Sequence, residues 1–203
     1  MKTTLYIDIE TIPGDVKPSV EDIKAPSNYK DEAKIKAYKE DNLDKEYRKQ
    51  SLDTTAGKIL CLGYAIDDGE VTVLTGSEED ILNGLFEAIK DEQMIWVGHY
   101  ILGFDFPFVF HASIKHGSKL KNLMPPRELV KDTMRIWNPT DYKASTSLDK
   151  IAKYLGLESS KGYLDGSKVY DYYLDDRVPE IAEYCRKDVE LVREVFNKIT
   201  KRV

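Results

Sequence analysis

The run Thr4-Leu5-Tyr6-Ile7-Asp8-Ile9-Glu10-Thr11 restricts the fold more than any other stretch of the chain. Apolar and β-branched residues at this density specify a strand, and strand side chains alternate between two faces. Leu5, Ile7 and Ile9 take one face; Tyr6, Asp8 and Glu10 take the other. Asp8 and Glu10 therefore point the same way, close together, on a strand whose other residues belong in a core. Two such carboxylates repel and lose hydration unless a cation lies between them, and the simplest cation is a divalent metal. The plain alternative is a strand end in water, where both would be ordinary surface charges.

At 203 residues the chain can form one domain with its own core. With 41% hydrophobic and 33% charged residues it has the balance of a globular protein and not of a disordered one. The net charge of −6 excludes a general electrostatic attraction to nucleic acid. The charge is uneven, however: residues 111–161 carry 10 Lys/Arg against 5 Asp/Glu. Such a segment suits either a polyanion or a solvated face. Two cysteines, Cys61 and Cys185, match neither a disulfide framework nor a zinc site and read as small core residues. Met1-Lys2-Thr3-Thr4 leads straight into the first strand, so no signal peptide is expected. No apolar run reaches the length of a membrane span, and a cytoplasmic protein without a membrane partner is expected.

Further along, residues 28–50 read as a charged helix with a thin apolar stripe at Ile35, Tyr38 and Leu43. Strands are expected over Lys58–Ile66 and Glu70–Thr75, joined by the turn signal Asp67-Asp68-Gly69. Ser77 and the acids after it open a helix through Ile89; Met94–Gly98 is a short buried strand. A helix begins near Asp105 or Pro107, and Lys131–Trp137 is a candidate last strand. Short helices follow Ser147 and Ser167, and a long one runs from about Pro179 to Ile199. Strands joined locally and then alternating with helices predict an α/β domain with a mixed sheet. The expected organisation is a single domain over 1–203 with a charged helical insertion at about 14–56.

Two more acids stand at apolar positions. Asp105 lies within Gly103-Phe104-Asp105-Phe106-Pro107-Phe108, where it is either a helix cap or a ligand. Asp188 is four residues after Tyr184 and three before Leu191, inside the apolar stripe of the last helix. It is a ligand there, or the partner of a buried cation. Carboxylates without His or Cys suit Mg²⁺ or Mn²⁺. Two such ions can clamp a phosphodiester during an in-line displacement.

These residues resemble the motifs of the DEDD 3′–5′ exonucleases. The nearest likeness is to stand-alone exonucleases related to the proofreading domain of B-family DNA polymerases. The first motif matches as Asp8-Ile9-Glu10-Thr11, the second as Val97 through Asp105, and the third as Tyr184-Cys185-Arg186-Lys187-Asp188. The Tyr-x-x-x-Asp form is similar to the tyrosine subclass, DEDDy. Lys58–Gly63 after a charged helix, Ser147-Leu148-Asp149 and Asp165-Gly166-Ser167 extend the likeness over nearly the whole chain.

The resemblance implies an RNase H-like fold, a mixed five-stranded sheet of order 3-2-1-4-5 flanked by helices. It implies a 3′–5′ exonuclease releasing nucleoside 5′-monophosphates from single-stranded DNA with a free 3′ end. Asp8, Glu10, Asp105 and Asp188 would hold two Mg²⁺ or Mn²⁺ ions, and Tyr184 would orient the attacking water. Ile9, Thr11, Phe104 and Tyr100 would hold the terminal nucleotide, and the basic stretch Lys115–Lys161 would follow the phosphates. His99 would be a further substrate contact or a satisfied structural histidine. A polymerase or repair protein would be a partner in trans. RNA in place of DNA, or a non-catalytic nucleic-acid-binding domain, are the alternatives. One position departs from the pattern: Tyr100 stands where the family carries an Asn, and its ring offers stacking or packing instead.

Overall fold

A computed structural model describes residues 2–89, 93–159 and 164–200. The central strand, β1 (Thr4–Pro13), pairs antiparallel with β2 (Gly57–Ile66), which pairs antiparallel with β3 (Thr72–Thr75). On its other side β1 runs parallel to β4 (Ile95–Gly98), and β4 runs parallel to β5 (Val130–Asp132). The sheet order is therefore β3-β2-β1-β4-β5, the mixed five-stranded sheet expected.

The alternation in β1 sorts the molecule into layers. Leu5, Ile7 and Ile9 pack with helix α2 (Glu78–Ile89) and helix α3 (Asp105–Lys115) through Ile81, Leu82, Leu85, Phe108 and Val109. Tyr6 turns to the opposite face, against Val189 and Val192 of the long helix α7 (Val178–Thr200). A register shift after Glu10 puts both Leu60 and Cys61 of β2 on the α7 side, in one cluster with Ile12, Ile181 and Cys185. Such a bulge bends the strand and re-aims side chains, and it lies beside the acidic pair. Gly63 is paired with Asp8 across the β1–β2 ladder. A Cβ there would lie 2.8 Å from Val189 Cγ2 and 3.0 Å from Cys185 Sγ, so the bare glycine admits α7 against the sheet.

The insertion after β1 carries α1 (Glu32–Lys49), which has no fully buried residue. Asp31 caps it by accepting from Lys34 N at 2.9 Å. A 3-10 turn over Gln50–Leu52 then brings the chain back to β1. At the hairpin between β2 and β3 it is Asp67, with φ +48°, that takes the left-handed conformation. Its carboxylate accepts from Thr4 N at 2.8 Å, which fastens the turn to the start of β1.

Two further helices flank α7: α5 (Leu148–Tyr154) and α6 (Val169–Leu174). Gly156, with φ +70°, ends α5; its N–H bonds Lys153 O and that of Leu157 bonds Ala152 O, a Schellman closure.

The expected last strand, Lys131–Trp137, needs correction. Only Val130–Asp132 pairs in the sheet, and Thr133–Trp137 is a helix, α4. The cause is Asp132, whose carboxylate accepts from Met134 N at 3.0 Å and Arg135 N at 3.4 Å. A capping carboxylate at the strand end gives the backbone a helical continuation. Among the described residues no helix is long and apolar enough to cross a membrane.

Candidate active site

Because β1, β4 and β5 are parallel, their C-terminal ends share one edge of the sheet. In open α/β sheets ligands bind outside that edge. Asp8 and Glu10 stand toward the end of β1, and α7 crosses their face. One carboxylate oxygen from each of Asp8, Glu10 and Asp188 lies within 4.8 Å of the other two. Residues 178 positions apart are thus joined by the packing that Gly63 allows. Behind them the Cys185 thiol contacts Asp8 O at 3.5 Å and hydrogen-bonds Cys61; both cysteines are buried core residues, as expected.

Asp105 is the first residue of α3, and the capping position is held by Phe104. Its carboxylate bonds its own N–H, the first of the helix. It reaches across to β1 and accepts from Ile9 N at 3.1 Å, between Asp8 and Glu10. Asp105 is not a member of the tight trio, but its charge acts on both β1 acids.

The electrostatics follow from crowding acids in a desolvated place. Burial, then Asp188, Asp105 and Glu10, hold the Asp8 carboxyl well above the usual carboxylate range. Glu10 is pushed up by burial, the Cys61 thiol, Asp188 and Asp105. Asp105 is raised to about 7, chiefly by burial, with Asp132 and Asp188 adding to it. Tyr184, one turn before Asp188, hydrogen-bonds that carboxylate; burial and then Asp188 and Glu10 keep its hydroxyl protonated. The donor set is three convergent carboxylates with a fourth adjacent, all hard oxygens, and burial together with their mutual repulsion disfavours their ionised forms. Such a set could hold a divalent cation that favours oxygen ligands.

The neighbouring residues divide. Thr11 turns its hydroxyl to Ser51 O at 2.6 Å, fixing the insertion beside Glu10. Phe104 packs on Phe108 with ring centroids 5.0 Å apart. Tyr100, at the end of β4, has φ +58°, a costly conformation for a bulky residue. Its ring lies over Gly103 and is 42% exposed, with the Arg135 guanidinium 5.9 Å from its centroid. His99 is occupied internally: its ring meets Thr133 Oγ1 at 2.9 Å and the Thr146 backbone, and burial favours its neutral form. It ties β4 to α4, and of its two expected roles the structural one accounts for these bonds. The basic segment begins at Lys115, which pairs with Glu78 of α2, passes through the edge strand β5, and its end at Lys161 is outside the described residues.

Sequence reasoning passed over Asp132, which is 3% exposed. Besides capping α4, its carboxylate accepts from Tyr100 N at 3.0 Å and Leu102 N at 3.4 Å. It therefore holds the left-handed Tyr100 loop that leads to Asp105. The available signal was an Asp directly before Thr133-Met134, a capping position at the close of a short apolar run.

A family model of predicted 3′–5′ exonucleases related to the exonuclease domain of PolB matches residues 65–199. The chain belongs to that family. The matched stretch contains Asp105, Tyr184 and Asp188; β1, with Asp8 and Glu10, precedes it. An uncharacterized protein of Methanocaldococcus jannaschii is 20% identical over 148 residues, which is 68% of this chain and 84% of that relative. The family B DNA polymerase from the hyperthermophilic archaeon Pyrobaculum calidifontis superposes with a TM-score of 0.65 at 18% identity. That alignment covers 98% of this chain and 24% of the polymerase, so the chain spans about a quarter of the length of the polymerase it matches. The fold is the RNase H-like fold of the polymerase-type exonuclease.

Proposed function

We propose that this protein is a two-metal-ion 3′–5′ exonuclease that shortens single-stranded DNA and releases nucleoside 5′-monophosphates. Residues 1–203 act as one exonuclease domain, with 14–56 as an insertion. The observation that carries the reading is the convergence of Asp8, Glu10 and Asp188 on one point, with Asp105 bonded to the strand between the first two. Asp8, Glu10 and Asp188 would hold one divalent ion, and Asp8 with Asp105 a second. Such ions, when bound, neutralise the carboxylates, activate the attacking water and stabilise the departing 3′ oxygen.

The chain's own groups do the positioning. The Tyr184 hydroxyl, held by Asp188 and kept protonated, aligns the water by hydrogen bonding and does not take its proton. Ile9 N is committed to Asp105, so the β1 backbone is rigid where the scissile phosphate lies. Phe104 and the exposed Tyr100 ring flank the terminal nucleotide, and stacking on such rings tolerates any base. His99, the neighbour of Tyr100, acts structurally by tying β4 to α4.

The test is digestion of DNA and RNA strands labelled at either end, with Mg²⁺, Mn²⁺ or chelator. Shortening from the 3′ end with release of 5′-monophosphates is expected only with metal, and Asp8→Ala abolishes it. Tyr184→Phe slows the reaction without stopping it. Wild-type protein that leaves both strands intact in metal, or that trims from the 5′ end, overturns the proposal.

A further inference from the structure

A groove of about 510 Å³ opens beside the acidic site, between the C-terminal half of α1 and the start of α6. Its floor is Thr11, the residue after Glu10, and its walls include Lys45, Arg48 and Lys49 on one side and Tyr170 on the other. We propose that this groove is the path of the single strand next to the scissile phosphate, which makes the α1 insertion a strand clamp. The inference rests on the exonuclease reading and adds the part of the molecule that grips the substrate.

Four observations support it. The volume lies within the roughly 300–1,000 Å³ range of sites that take up small ligands. The groove is anchored next to Glu10 in the chain, because Thr11 lines it and its Oγ1 holds Ser51 O at 2.6 Å, which seats the Gln50–Leu52 turn against β1. Its lining carries three cations against one carboxylate, Asp44, in a protein of net charge −6. Arg48 pairs with Asp44 and Asp171, each at 2.7 Å, and lies 5.1 Å over the Tyr170 ring, so it is spent on bracing the two walls. Lys45 makes no ion pair among the described residues, and Lys49 pairs only along its own helix, with Glu46. Both are exposed, and the Lys49 pair with Glu46 lies at the surface, where a phosphate can compete for it. Finally, Leu52 stands 71% exposed at the groove's lip, a large apolar side chain facing water where a base would cover it.

The rival path, the basic segment near β5, lies two strands from β1, roughly 10 Å across the sheet. Two of its cations are engaged by backbone carbonyls at the surface, Lys131 by Glu128 O and Arg135 by Tyr142 O.

The test is the salt dependence of binding of a fluorescent oligodeoxythymidylate in chelator, where no cutting occurs. Single strands lose affinity with a slope of about 0.7 per phosphate neutralised. Lys45→Ala/Lys49→Ala is expected to reduce the slope by about 1.4, and Lys131→Ala/Lys143→Ala to leave it as in the wild type. As a second measurement, thiothymidine placed at or next to the 3′ end is expected to crosslink to peptides containing Leu52 or Tyr170. A slope unchanged in the first variant and reduced in the second, or crosslinks confined to residues 115–159, overturns the clamp. If wild-type protein digests DNA while these results fail, only the clamp is lost; if wild-type protein neither binds nor digests, the exonuclease reading falls first.

Discussion

Gly63→Ala is the substitution that most directly probes how the fold assembles its acidic site. Gly63 has no positive φ, so its backbone accepts alanine, and the cost is steric. The new methyl would stand 2.8 Å from Val189 Cγ2, 3.0 Å from Cys185 Sγ and 3.4 Å from Cys185 O, the last being backbone that cannot swing aside. Overpacking of this kind costs about 1–3 kcal/mol. For a chain of 203 residues that lowers Tm by roughly 2–12 °C. The displaced element is α7, which carries Asp188, so the gain in Tm on adding Mn²⁺ shrinks as well. Thermal unfolding with and without Mn²⁺ measures both. Val189→Ala in the same chain makes room for the methyl, and the two changes should couple favourably by about 0.5–3 kcal/mol. A Gly63→Ala protein as stable as the wild type, or costs that simply add in the double variant, would refute the claim that this glycine admits α7.

Two further outcomes follow from the charges. The pKa of Asp105 rises from 3.8 to about 7 on folding, so the folded protein is penalised for ionising it. Without metal, Asp105 alone should lower stability by up to ~4 kcal/mol as pH rises from about 4 to about 7, and Asp8 and Glu10 lower it in the same direction. Asp105→Asn should make the decline shallower without abolishing it, because Asp8 and Glu10 are raised as well; urea unfolding in chelator between pH 4 and 8 would detect this, and an equally steep decline in the variant sinks the argument. Asp132→Ala strands the N–H groups of Tyr100 and Met134, both bonded at 3.0 Å, and should cost about 2–4 kcal/mol. Asp132→Asn, which keeps an acceptor, should cost less in the same melts.

Much of this was legible from local pattern. The period-two alternation of β1 assigned Asp8 and Glu10 to one face, because strand geometry leaves no other arrangement for Leu5, Ile7 and Ile9 in the core. Asp188 was legible as an acid inside the apolar stripe of α7. Asp105 was ambiguous, since a helix cap and a ligand look alike in sequence; the structure puts Phe104 at the cap position and bonds the Asp105 carboxylate to Ile9 N, which no local pattern indicates. The strand predicted through Trp137 failed because apolar residues alone do not tell strand from short helix, and the side-chain bonds of Asp132 tipped the balance.

The sequence by itself thus determined which residues are acidic where water is scarce, and in what order they occur along the chain. Tertiary structure decided that they meet. The bulge opposite Glu10, the bare backbone at Gly63 and the crossing of α7 bring residues 178 positions apart within 4.8 Å. Such distances are set by packing between elements, which no local periodicity encodes. The same packing opened the groove at Thr11, turning a charged helix that reads as mere surface into a wall beside the site.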